Sequence, residues 1–334
     1  MTSFRPGVMR LLAVVAAAPL AVGCTAPGPA AAAAAVSQTR VSAGVAAAAR
    51  PMGLPTQLAV RPGRPCLGTP PPRRWDHVVW IVMENQSATG ILGSRAAPFE
   101  NSLTRLCGHA VTYTAVSHPS LPNYLALTSG STHGVRDDAG PSAHRIPGAS
   151  IFTLAAGARR GWATYAESMS ARCAAGPAGR YAVKHNPAAY FTALRRTCAL
   201  HDVPMGTPGR GSLATALARR ALPAFTLLVP NLCHDDHDCP VSTGDAWLRA
   251  WVDTIVASPT YRAGRTAVFI TWDENDGGAG NRVALLAVAP SIRPGRVAVG
   301  RFGHLSLLHT TLLMLGLRDP LAPRQPSMRR AFGL

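Results

Sequence analysis

Apolar residues in this chain fall into two kinds of pattern. Val78-Val79-Trp80-Ile81-Val82-Met83 is an unbroken β-prone run, and Ala224 to Val229, Thr266 to Trp272 and Val283 to Ala289 are runs of the same kind. Continuous runs of this length predict strands buried on both faces. Between them, apolar positions recur at helical spacing over residues 97–109 (Leu103 and Leu106 on one face), 150–158, 213–221, Gly244 to Ser258 and Leu305 to Leu315. A further helix is predicted to start at Ser120, with Ser as N-cap and Pro122 in the first turn. Strands alternating with helices predict an α/β domain built on a largely parallel sheet.

The polar residues at the strand ends carry the next inference. The first run stops at Glu84-Asn85, the second leads through Pro230-Asn231 into an acidic loop, and the third stops at Asp273-Glu274. Ligands of open α/β sheets bind beyond the carboxyl ends of the strands. Glu84, Asp235 with His237, and Asp273 with Glu274 are therefore expected to converge although they lie far apart in the chain.

Composition sharpens that picture. Among 334 residues there are 33 Lys+Arg but only 16 Asp+Glu, a formal charge of +17. Seven of the acids belong to the three places just named: Glu84; Asp235, Asp236 and Asp238; Asp273, Glu274 and Asp276. A carboxylate-poor chain that clusters its carboxylates is a metal-site candidate. Eight of the arginines precede residue 76 with no acid among them, which leaves +9 for residues 76–334. Lys184 is the one lysine and reads as part of a bias toward arginine. No basic block interleaved with aromatics occurs, so a generally basic surface is expected, and no nucleic acid as partner. With 47% hydrophobic residues the chain has the material for a sizeable core.

The N-terminal region reads as an address. Arg5 and Arg10 precede an apolar stretch, Leu11 to Gly23, too short to span a bilayer comfortably and suited to a signal-peptide core. Ala21-Val22-Gly23-Cys24 resembles a bacterial lipoprotein cleavage box, which predicts a signal peptide over 1–23 and membrane attachment through a lipidated Cys24; ordinary cleavage with release is the alternative. Residues 24–62 are rich in Ala and Pro and read as a linker, leaving 63–334 as the folded domain. Six cysteines remain after Cys24, an even number that fits disulfides in an exported protein. Pairing in chain order gives 66–107, 173–198 and 233–239. A zinc site using the Cys233 and Cys239 thiols is the alternative reading of the last pair.

Carboxylates with His and Asn suit a hard or borderline divalent ion, whether Ca, Mg or Zn, and one ion or two. A hydroxyl beside such an ion at a helix N-terminus makes an activated nucleophile. Ser120 has this setting, and Asn123, one turn on, is positioned to donate to a bound oxyanion. A phosphate ester fits such a site, and attack by Ser120 would give a phosphoserine.

Six segments carry a resemblance to a known family. They are VVWIVMEN (78–85), SHPSLPNYLALTSG (117–130), KHNPAAYF (184–191), VPNLCHDDHDC (229–239), ITWDENDGG (270–278) and the stretch from His304 to Leu317. In this order they resemble the bacterial phosphoesterase family of the alkaline-phosphatase superfamily, which includes secreted acid phosphatases and phospholipase C enzymes. The similarity is strongest to exported actinobacterial acid phosphatases of the phosphatidylinositol-3-phosphatase kind. It implies a three-layer α/β/α sandwich, metal-dependent hydrolysis of phosphate monoesters and a possible phospholipid headgroup as substrate. By the same resemblance Ser120 is the nucleophile and Asn123 holds the phosphoryl oxygen. Glu84, Asn85, Asp235, His237, Asp273, Glu274 and His304 are the metal ligands, and His185 contacts the substrate. Glu84 and Glu274 stand where many superfamily members have Asp and His, which argues against a two-zinc centre.

Other assignments remain beside these. The fold would serve a phospholipase C or other phosphodiesterase equally well, and a non-catalytic surface binding lipoprotein is the reading outside enzymology. His234, Asp236 and Asp238 are expected to support the acidic loop, His309 to pack, Asp137 and Asp138 to be solvated, and Asp245 to serve a helix start.

Overall fold

The computed structural model describes residues 57–334, where the four expected strands are joined by four more. In chain order they are β1 (His77–Met83), β2 (Gly108–Thr114), β3 (Trp162–Ala166), β4 (Asp202–Pro204), β5 (Phe225–Val229), β6 (Thr266–Trp272), β7 (Leu285–Val288) and β8 (Arg296–Gly303). They form one sheet in the order β4-β3-β5-β1-β6-β7-β2-β8. All neighbours pair in parallel except β7, which runs antiparallel to both β6 and β2. The largely parallel sheet read from the alternation of elements is thus present.

The principal helices are α1 (Pro98–Leu106), α2 (Ser120–Ser129), α3 (Ile151–Gly157), α4 (Ser212–Ala218), α5 (Val241–Ala257) and α6 (His304–Leu315). Every residue of β5 and β6, and all of β1 but its first, is buried, so both faces of the central strands are covered. An aromatic cluster lies on the face that holds α3 and α6. Phe152 of α3 packs on Phe225 and Trp162, Phe225 meets Trp80 edge-on at 4.7 Å, and Trp80 Nε1 donates to Thr311 of α6 at 2.9 Å. Helix α2 packs against α3 and α6, while α1 packs against α5 and against β2, β7 and β8.

The helix predicted over 97–109 is shorter. It stops at Leu106, Cys107 leaves the helical conformation, and Gly108 begins β2. Periodicity supported the helix only as far as Leu106, and the following residues alternate in burial, as one-sided strand residues do. Gly108 is required there, because a Cβ would lie 2.7 Å from the Arg296 carbonyl of β8. The other additional strands, β3, β4 and β8, are short or mixed in polarity and left no continuous apolar run.

The three disulfides are 66–107, 173–198 and 233–239, and the last leaves no Cys233 or Cys239 thiol for zinc. Packing begins before residue 63: Val60 is buried and the Leu58 N–H donates to the Arg262 carbonyl at 2.8 Å. The signal segment 1–23, Cys24 and most of the linker lie outside the described residues. Among the described residues, no helix is long and apolar enough to cross a membrane.

Candidate active site

The carboxyl ends of β1 and β6 lie side by side because those strands pair in register from His77 with Thr266 to Met83 with Trp272. Glu84 and Asp273, one residue beyond, are therefore neighbours, and the Asp273 N–H donates to the Met83 carbonyl at 2.9 Å. β5 borders β1 on the other side and delivers the Asn231–Cys239 loop, whose Asp235 carbonyl accepts from the Glu84 N–H at 2.7 Å. Glu84, Asp235 and Asp273 are all fully buried. The expected convergence of the three acidic segments is realised.

Ser120 faces this group from the first turn of α2. It is not the N-cap: Pro119 holds that position, and the Ser120 hydroxyl makes no capping bond. Instead its Oγ donates to Glu84 Oε1 at 2.7 Å, and Ser120 is buried.

Two residues that sequence reasoning set aside complete the surroundings of this oxygen. Lys184 Nζ lies 2.9 Å from Glu84 Oε1 and 3.3 Å from both Ser120 Oγ and Asp138 Oδ2. Asp138 also accepts from the Leu121 N–H of α2 at 2.9 Å, so it is tied to the helix N-terminus while its side chain stays 30% exposed. A single lysine in an arginine-rich chain, placed inside one of the six resembling segments, was the signal that could have found it.

His185 was assigned to the substrate, but it is fully buried among carboxylates. Its Nε2 lies 2.8 Å from Glu84 Oε2 and its Nδ1 lies 3.4 Å from Asp235 Oδ2. The ring is off the line of a hydrogen bond, so His185 Nε2, Glu84 Oε2 and Asp235 Oδ2 have no hydrogen-bond partner, nor does Asp273 Oδ2. Tyr124 of α2 stacks on the imidazole at 5.1 Å.

Electrostatics follow from crowding four carboxylates into a dry place. Burial alone would raise the Glu84 carboxyl, but the adjacent His185 and Lys184 hold it below its usual range. Burial likewise opposes the charge on His185, yet Glu84 and Asp235 push its imidazole up to about 10. Asp235 and Asp273 are raised, first by burial and then by the charge of Glu84, and Glu274 is raised to about 7 by the same two causes.

The remaining predicted residues are distributed around this centre. Asn85 adopts a left-handed backbone with φ 51°, its N–H donating to Asp273 Oδ1 at 3.3 Å and its amide to Glu84 Oε1 at 3.4 Å. Glu274 is buried and accepts from Asn123 Nδ2 at 3.2 Å, with His118 Nδ1 3.1 Å away. Asn123 does not present a free amide to a substrate oxygen. Its Nδ2 is surrounded by the Ser117 and Pro119 carbonyls and Glu274, and its Oδ1 accepts from the Val116 and Ser117 N–H groups at 2.9 Å. It braces the turn that precedes Ser120. His237 stands at the rim, 3.9 Å from Glu84 Oε1 and paired with Asp238 at 2.7 Å. His304 is buried with both ring nitrogens engaged: Nε2 lies 2.6 Å from the Asp273 carbonyl and Nδ1 3.1 Å from the Tyr113 hydroxyl. Burial lowers its imidazole to about 4, so the ring is neutral, donates from Nε2 and accepts at Nδ1. Asp245 does serve a helix start, but that of α1, accepting from the Phe99 and Glu100 N–H groups at 3.1 and 2.9 Å.

Buried oxygens of Glu84, Asp235 and Asp273 that make no hydrogen bond gather more negative charge than the one imidazole between them offsets. One ligand atom each from Glu84, His185 and Asp235 lie within 4.8 Å of one another. With an ion taking the place of the His185 proton, this donor set fits a hard or borderline divalent ion. The second group of this type, Cys173, Cys198 and Asp202, has its sulfurs in a disulfide.

Residues 96–317 match the Phosphoesterase family, and they include Ser120, Lys184 and every predicted site residue except Glu84 and Asn85. The chain belongs to the phosphoesterase family. This phosphoesterase is 30% identical over 250 residues to a phosphatidylinositol-3-phosphatase of Mycobacterium tuberculosis, an alignment covering 72% of this chain and 77% of the relative. It is 27% identical to an acid phosphatase of Aspergillus fumigatus over 49% of this chain and 37% of that protein. Among solved structures, an alkaline phosphatase superfamily protein from Vibrio parahaemolyticus superposes with TM-score 0.54 at 14% identity, over 85% of this chain and 76% of the other. The lipoteichoic acid synthase LtaP of Listeria monocytogenes superposes with TM-score 0.52 at 12% identity, over 75% and 74%. The phosphoesterase thus has an alkaline-phosphatase-superfamily fold.

Proposed function

We propose that this phosphoesterase hydrolyses phosphate monoesters through a phosphoserine on Ser120, with a divalent ion held by Glu84, Asp235 and Asp273 and bordered by Asn85, His185 and Glu274. The observation that carries the reading is the 2.7 Å hydrogen bond from Ser120 to a buried Glu84, whose second oxygen makes no hydrogen bond and lies 2.8 Å from His185 Nε2. The hydroxyl proton already points at Oε1, which accepts it as Oγ attacks phosphorus. The bond from Ser120 to phosphorus forms while the bond to the leaving alkoxide breaks; the alkoxide takes a proton from water, and the Lys184 ammonium stands beside the reacting oxygen. Hydroxide from that water then attacks phosphorus, the phosphoserine bond breaks, and Ser120 recovers its proton from Glu84. Bound in this site, the ion would lower the pKa of the hydroxyl and offset phosphate charge. Tyr124 and the buried strand ends exclude bulk water, which strengthens each of these interactions.

The names of the mycobacterial and fungal relatives support phosphatase chemistry, and the first of them supports a phosphoinositide headgroup as the physiological ester. Export as a lipoprotein rests on the sequence around Cys24, and the three disulfides support an oxidising compartment. The test is phosphate release from an aryl phosphate by wild type and Ser120→Ala, with and without chelator. Activity that survives both chelation and the substitution would refute the proposal.

A further inference from the structure

We infer that Lys184 is the residue that makes this site take dianionic phosphate monoesters in preference to monoanionic diesters. The inference rests on the phosphoesterase chemistry proposed above and names its substrate class. Five carboxylates, those of Glu84, Asp138, Asp235, Asp273 and Glu274, belong to this centre, and Lys184 is the cationic side chain that reaches Ser120 Oγ. Even with a divalent ion bound, that balance leaves the site without excess positive charge, although its substrate is an anion.

Of the two basic side chains beside Glu84, only one is free to meet that anion. His185 is 1% exposed and held between Glu84 and Asp235. Lys184 is 21% exposed, and its ammonium stands 3.3 Å from Ser120 Oγ. A phosphorus attacked by that oxygen from the side open to Lys184 has another of its oxygens within reach of the ammonium. Asn123 does not compete for this role, because its amide is committed to Ser117, Pro119 and Glu274.

Asp138 explains how the lysine is kept in place without substrate. Its Oδ1 is anchored on the Leu121 N–H at 2.9 Å, and its Oδ2, on a side chain 30% exposed, holds Nζ at 3.3 Å. Glu84 holds the same Nζ more closely, at 2.9 Å from a fully buried carboxylate. A phosphate oxygen therefore displaces the outer, wetter partner and keeps the inner one. The extra negative charge of a monoester strengthens the new contact with Nζ beyond what it gains at the ion, and a diester gains less from it.

The experiment compares wild type, Lys184→Met and Lys184→Arg on an aryl phosphate monoester and a bis-aryl diester, and measures inorganic phosphate affinity and bound metal in each. Loss of one charge-assisted hydrogen bond corresponds to roughly tenfold to hundredfold. The expected result is a loss of that size in monoester kcat/KM and in phosphate affinity for Lys184→Met. Diester kcat/KM falls less, metal content is unchanged, and Lys184→Arg recovers part of the loss. Equal losses on both substrates, or unchanged phosphate affinity, would overturn the inference and make Lys184 a support for Glu84. Should wild type turn over neither ester, the phosphate affinities still decide on Lys184, and the proposed chemistry fails separately.

Discussion

Ser120 Oγ donates a 2.7 Å hydrogen bond to Glu84 Oε1 across 36 residues of chain. The two are brought together by different devices. Glu84 is carried to the sheet edge by a strand buried on both faces, and Ser120 is presented by the first turn of α2, after a turn braced by Asn123. Catalytic and ligand-type groups on rigid element ends are held more firmly than groups on free loops.

The orphaned oxygens of Glu84, Asp235 and Asp273 imply that metal binding and folding stability are linked. A ligand that binds only the folded state at a hundred times its Kd adds about 2.7 kcal/mol. Divalent ion is expected to raise the Tm of wild type, chelator to lower it, and Glu84→Gln to abolish most of both effects. Thermal denaturation with and without ion checks this. A Tm in wild type that ignores the ion would contradict it.

Glu100, fully buried on α1 with neither carboxylate oxygen hydrogen-bonded, sets a pH dependence of stability. Burial, with Asp236 and Asp245 nearby, pushes it up to about 9. The folded protein keeps this proton where the unfolded chain has lost it. Its contribution is complete below the unfolded value near 4.5 and is lost as pH rises toward 9, at up to about 1.4 kcal/mol per pH unit. Glu100→Gln is therefore expected to raise Tm at pH 8 and to change it little at pH 4.5. A lower Tm at pH 8 would show that Glu100 is needed in its charged form.

His304 bridges the Asp273 carbonyl and the Tyr113 hydroxyl, both buried. Tyr113→Phe leaves Nδ1 without its donor, which costs about 1–3 kcal/mol. The expected outcome is a lower denaturation midpoint with metal content retained. Because the ring is neutral down to about 4, it adds no limb to a pH–rate profile between 5 and 9. Loss of the metal in Tyr113→Phe would instead make His304 a ligand.

How far the site could be read from sequence depended on the kind of signal. β1, β5 and β6 were legible because strands buried on both faces are continuous apolar runs, and the carboxylates at their ends stood out in an acid-poor chain. β3 and β4 and the short helical turns around Val183–Ala189 gave no such pattern, since three to five residues are too few for a period. Lys184 sits in one of those turns, so its nearness to Ser120 is purely tertiary. Asp138 reads as a solvated loop acid in the sequence and is in part exposed; its partners, the Leu121 N–H and Lys184, lie 17 and 46 residues away and leave no local signal. Asn123 and His304 stand out in the sequence as candidate site residues, but their atoms are engaged in bracing the backbone that carries Ser120 and Asp273.

The central claim is that Ser120 becomes the phosphoryl carrier. Loss of an activated nucleophile is expected to lower kcat/KM at least about 10³-fold, but the covalent state itself is the more direct observable. Wild type and Ser120→Ala, mixed with an aryl phosphate monoester and quenched in acid, are digested and mapped by mass spectrometry. The account predicts a phosphorylated peptide with the modification on Ser120 in wild type and none in Ser120→Ala, which also fails to release phosphate. Undiminished phosphate release by Ser120→Ala, with no phosphopeptide in wild type, would contradict it.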